Sequence, residues 1–79
     1  MLQIHRVSQV AVALGLSKST VWLRVKQGQC TPPIRLGDRA VGWPVNEVEA
    51  INAARIAGKS NSEIEALVKK LVADRALAA

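Results

Sequence analysis

The stretch Ala13-Leu14-Gly15-Leu16-Ser17-Lys18-Ser19-Thr20-Val21-Trp22 decides the fold. Just upstream, Val10, Ala11, Ala13 and Leu14 recur at helical spacing, and Ser8 stands where a helix N-cap belongs. Gly15 ends that helix, because a residue tolerant of positive φ closes helices well. Ser17 caps a second helix, predicted over Lys18 to Gln27 and closed by Gly28. Two short helices joined only by Gly15-Leu16-Ser17 spell a helix-turn-helix.

At about 100° per residue, Val21, Trp22 and Val25 of the second helix share one side, predicted to face the core. Ser19, Thr20, Leu23 and Gln27 fall opposite, with Arg24 and Lys26 on the flanks. Apart from Leu23, that outward face is polar or basic, as a surface entering the major groove requires. An ordinary solvated helix can carry the same pattern, so the following residues matter. Thr31-Pro32-Pro33 breaks the helical pattern. Ile34-Arg35-Leu36, the turn Gly37-Asp38-Arg39 and the return Ala40-Val41-Gly42-Trp43 then read as a β-hairpin with Arg35 and Arg39 near its tip. A basic hairpin directly after a helix-turn-helix reads as a wing, able to grip phosphates or a narrow minor groove.

Asn46 and Glu49 are spaced as a capping box and predict the start of a third helix. Its Ala50, Ala53, Ala54 and Ala57 share a face that another helix can approach closely, while Val48 and Ile51 point elsewhere. Gly58-Lys59 breaks the chain, and Ser60 with Glu63 makes a second capping box opening a fourth helix to about residue 77. Ile64, Leu67, Val68, Leu71 and Val72 form its apolar stripe, with Glu65–Lys69 and Lys70–Asp74 spaced as i,i+4 ion pairs outside. The short link implies an antiparallel hairpin whose stripe covers the alanine face.

Charge is distributed unevenly. Residues 1–43 hold Arg6, Lys18, Arg24, Lys26, Arg35 and Arg39 against Asp38 alone, whereas five basic and five acidic side chains balance in residues 44–79. A one-sided basic field suits a polyanion. In 79 residues with two aromatic side chains there is room for one core and little for a catalytic pocket. A lone cysteine, Cys30, and a lone histidine, His5, supply neither a disulfide nor a zinc cage, and no carboxylate near His5 and Ser8 completes a nucleophile and base. Neither a phosphate-cradling glycine loop nor a signal-peptide layout is present, and the apolar run Val10 to Leu16 is too short for a membrane span. The expectation is a cytoplasmic, nucleoid-associated protein that is not an enzyme and has no cofactor, no metal and no membrane partner.

The run from Gly15 to Trp22, then Gly28, Pro33-Ile34-Arg35-Leu36-Gly37 and Arg39-Ala40-Val41-Gly42-Trp43, resembles the AlpA family of phage and mobile-element regulators. These are excisionase-like and MerR-like winged helix-turn-helix proteins. The resemblance covers roughly residues 4 to 57. It implies recognition-helix places at Lys18, Ser19, Thr20, Trp22 and Leu23, a wing at Arg35 and Arg39, and a packing tryptophan at Trp43. Leu23 stands where the family often has a basic residue, Cys30 where an aromatic is usual, and Ile51 where a tryptophan is common. By its place in that pattern Trp22 either joins the core or touches the DNA backbone through its indole N–H.

Together these readings predict a mainly α fold with a small β-hairpin: a winged helix-turn-helix over residues 1–57, followed by a C-terminal helical hairpin. Residues 58–79 either pack on the same domain or form a homodimer or cooperative oligomer through Ile64, Leu67, Val68 and Leu71. The DNA-binding set is Ser17, Lys18, Ser19, Thr20, Trp22, Leu23, Arg24, Lys26, Gln27, Arg35 and Arg39, directed at double-stranded DNA. Three functions fit: a sequence-specific transcriptional regulator of a prophage or integrative element, an excisionase-type architectural factor partnered with an integrase, or a protein-interaction module without DNA binding.

Overall fold

The computed structural model describes residues 3–78 and is mostly helical, with one small antiparallel sheet. The ends of the two expected segments, residues 1–2 and 79, lie outside the described residues. The elements run β1 (Ile4–His5), α1 (Val7–Leu14), α2 (Lys18–Lys26), β2 (Ile34–Arg35), β3 (Val41–Pro44), α3 (Val45–Ile56) and α4 (Asn61–Ala78).

Local chemistry explains the α1–α2 junction. Gly15 takes φ 69°, and the Leu16 N–H reaches back to the Ala11 carbonyl at 2.8 Å, so the last turn of α1 is closed by its own backbone. Gly28 repeats the arrangement after α2 with φ 78° and a Gln29 N–H donating to the Arg24 carbonyl at 2.9 Å. Ser17 caps α2, its Oγ accepting from the Thr20 N–H at 3.2 Å. The start of α1 differs from the Ser8 cap. Arg6 holds the N-cap position, and the Gln9 side chain reaches back to accept its N–H at 2.8 Å, which starts the helix two residues earlier.

The hairpin forms with Ile34 opposite Gly42 and Arg35 opposite Val41. A third strand joins it: β1 pairs with β3, Ile4 opposite Pro44 and His5 opposite Trp43, giving the order β1-β3-β2. β3 is therefore central and carries the fully buried Trp43, whose indole N–H donates to the Thr31 carbonyl at 2.7 Å.

The α3 start also departs from the capping box expected at Asn46 and Glu49. Pro44 holds the N-cap position and Val45 begins the helix, its N–H donating to the Gln3 carbonyl at 2.8 Å. With that donor satisfied by the strand side, Asn46 lies inside the first turn and is exposed. The buried side of α3 is Glu47, Val48 and Ile51 with Ala54 beside them, whereas Ala53 and Ala57 are exposed. The alanine face is thus not what α4 covers. Larger side chains remove more apolar surface, and the helix turned to bury them.

Ser60 and Glu63 cap α4 reciprocally at 3.1 and 3.2 Å. Ile64 and Val68 enter one core with Val10, Val21, Cys30, Trp43, Val48 and Ile51, and Leu71 packs against it. Leu67 is half-buried and Val72 exposed. The spaced pairs Glu65–Lys69 and Lys70–Asp74 do not close; among the described residues the ion pairs are Lys59–Glu63 at 3.8 Å and Arg75–Glu47 at 2.6 Å. Holding two long exposed side chains together gains little. The Arg75–Glu47 pair is different, because Glu47 is buried on α3 and Arg75 reaches it from the last turn of α4.

Candidate nucleic-acid interface

Two elements present the polar and basic residues singled out above: α2 and the hairpin. They are physically joined, because the Trp22 ring on α2 lies 5.3 Å from Trp43 on β3 at a tilted 58°. Such a tilted pair packs favourably. Trp22 is only partly buried by this, at 43% exposure, so it does not sit in the core with Val21.

Along α2, Lys18, Ser19, Leu23, Lys26 and Gln27 are exposed, and Thr20 is half-buried. Ser17, Ser19 and Thr20 form a hydroxyl cluster, with Ser17 Oγ 2.8 Å from Thr20 Oγ1 and 3.2 Å from Ser19 Oγ. Gln27 lies just past the helix as its C-cap, one residue short of the expected helical end. On the hairpin, Arg35 and Arg39 are both exposed. Arg39 makes no ion pair with Asp38, and the turn is closed instead by a Leu36 N–H donating to the Ala40 carbonyl at 2.8 Å.

Arg24, also in the expected DNA-binding set, is half-buried. It turns inward along the flank of α2, donating to Gln29 Oε1 at 3.2 Å, and the same oxygen accepts from Arg55 at 3.0 Å. The Arg55 guanidinium is held below its ordinary pKa by partial burial and by the neighbouring Arg24. Sequence reading missed Arg55 and Gln29 as partners of Arg24. The available signal was spacing: Arg55 follows the buried Ile51 by one helical turn, at the edge of the inward face.

The family model for the prophage CP4-57 regulatory protein AlpA matches residues 3–56. The chain belongs to the AlpA family. The match starts just before β1 and ends with α3, so α4 follows the family region. Over 54 residues the chain is 41% identical to the uncharacterized protein ORF88 of Enterobacteria phage P4, a match covering 68% of this chain and 61% of that protein. It therefore spans less than two thirds of that relative's length. No solved structure matches the chain. Among the described residues, this AlpA-family chain has no cluster of metal-binding side chains and no helix long and apolar enough to cross a membrane.

Proposed function

We propose that this AlpA-family chain is a sequence-specific DNA-binding regulator of a prophage or integrative element, working as a winged helix-turn-helix. The observation carrying this reading is the juxtaposition of α2 with the hairpin through Trp22 and Trp43. This contact supports a shared surface for the exposed Lys18, Ser19, Lys26 and Gln27 of α2 and the exposed Arg35 and Arg39 of the hairpin. In this reading α2 enters the major groove. Ser19, Thr20 and Gln27 face base edges there, and Leu23 offers an apolar contact to a thymine methyl. Lys18, Lys26, Arg35 and Arg39 neutralise phosphates, with the hairpin on the adjacent backbone or minor groove. Ser17 serves as the cap that fixes the start of α2, and the half-buried Arg24 is held by Gln29. The residues 58–79 brace the domain from within the chain, since Ile64 and Val68 are spent in its core.

The test is selection from a random duplex pool, followed by binding of variants to the enriched site. Ser19→Ala or Thr20→Ala is expected to change the order of preferred sequences, and Arg39→Ala to weaken all of them alike. If neither substitution alters binding, the interface lies elsewhere.

A further inference from the structure

Where α1 ends, between the segment following α2 and α3, lies a partly open pocket of about 160 Å³. Leu14, Leu16 and Ile51 give it an apolar lining, and Arg24, Gln29 and Arg55 a polar one. Gln29 Oε1 marks the point where the two guanidiniums converge, at 3.2 Å from Arg24 Nη1 and 3.0 Å from Arg55 Nη2. Neither arginine has a carboxylate partner among the described residues, and the further acceptor of Arg55, Asn61 Oδ1 at 2.9 Å, is also a neutral amide. A neutral amide oxygen leaves two like charges uncompensated. A carboxylate at that point would neutralise them, through charge-assisted bonds about twice as strong as neutral ones. The apolar side of the pocket matters equally, because a dry, enclosed cavity of about 150 Å³ lined by leucine, isoleucine and phenylalanine accepts a benzene ring. A DNA phosphate would need no such apolar recess.

We propose that this pocket binds a compact apolar carboxylate of about benzoate size. Its carboxylate displaces Gln29 Oε1 between Arg24 and Arg55, and its apolar body lies against Leu14, Leu16 and Ile51. The occupant bridges α1, α2 and α3 and so ties the posture of α2 to a small anion.

The probe is benzoate, titrated into the full chain by NMR and calorimetry at constant ionic strength, with inorganic phosphate and benzyl alcohol in parallel. Benzoate is expected to saturate, shifting the side-chain amides of Gln29 and of Asn52, which also lines the pocket, and the backbone of residues 14–16. Phosphate lacks the apolar body and benzyl alcohol the charge, so each is expected to bind at least about tenfold more weakly. Arg55→Met is expected to weaken benzoate about tenfold or more, and Arg55→Lys less, with circular dichroism confirming that each variant is folded. Should Arg55→Met fail to fold, the shift pattern of the unaltered chain decides alone. The proposal is overturned if benzoate shifts are scattered over the surface or match those of chloride. It is also overturned if phosphate binds as well as benzoate, which would make the two arginines a phosphate clamp. No sample contains DNA, so the outcome is independent of the DNA-binding reading.

Discussion

Arg75→Ala removes the one side chain that pairs a buried acid. Glu47 is 2% exposed, and its carboxylate accepts from Arg75 Nε at 2.7 Å and from Nη2 at 2.6 Å. The same guanidinium donates to the Pro32 carbonyl at 2.7 Å, joining α4, α3 and the segment before the hairpin. Removing one partner of a buried pair costs about 3–5 kcal/mol, because the other charge is left without compensation. The Arg75 side chain keeps 23% of its exposure, so water can reach part of the gap and the low end, about 3 kcal/mol, is expected. A domain of 79 residues has only about 4–12 kcal/mol in total. With a urea slope of about 1 kcal/mol per molar, the midpoint should fall by about 3 M. Equilibrium urea unfolding followed by circular dichroism measures it. Replacing both partners, as Glu47→Leu with Arg75→Leu, should recover much of the loss because no charge remains buried. A midpoint for Arg75→Ala within about 0.5 M of the unaltered chain would refute the reasoning, since that is what an exposed pair is worth.

Two further outcomes follow from the core and the sheet. The buried Cys30 thiol is pushed up to about 11, first by burial and then by the charge of Glu47. The unfolded chain therefore loses this proton first, and stability should be full below the ordinary value of 9.0 and decline as pH rises toward about 11. Cys30→Ala should flatten that decline; parallel pH curves for the two proteins would show that the thiol is not responsible. Gly42→Ala would place a methyl 2.5 Å from Ile4 Cγ2 and 3.0 Å from the His5 carbonyl, so a loss of about 1–3 kcal/mol is expected in thermal unfolding. Gly37→Ala, which meets nothing within 4 Å, is the control, and equal stability for the two variants would contradict the close β1–β3 approach.

Several helix ends were legible because they rest on local devices, although the Arg6–Gln9 start of α1, just as local, was read as a Ser8 cap. Gly15, Ser17, Gly28 and the Ser60–Glu63 box all sit within a few residues of the groups they satisfy. The hairpin was legible for the same reason, through Gly37-Asp38 between two short alternating runs. Most of what else escaped depends on distant partners. β1 is two residues long and exists because β3 offers it an edge. Asn46 looked like a cap until the Gln3 carbonyl took the Val45 N–H, a contact no local window contains. Glu47 and Arg75 lie 28 residues apart and enter the sequence reading only as part of the charge balance of residues 44–79. Helical spacing placed Arg24 on a flank of α2, but only Gln29 and Arg55 show which way it turns. The hydroxyls of Ser17, Ser19 and Thr20 were visible as a polar face, though not as a cluster bonded to itself.

The proposed DNA-binding role is tested most directly by the salt dependence of affinity for the selected duplex. Lys18, Lys26, Arg35 and Arg39 are exposed on α2 and the hairpin, and none forms an ion pair among the described residues. If each neutralises one phosphate, log K should fall against log salt with a slope of about −3.6. Removing Arg35 and Arg39 together should reduce the slope to about −1.8 while leaving sequence preference in place. A slope shallower than about −1 for the unaltered chain would contradict a phosphate-gripping interface on these two elements.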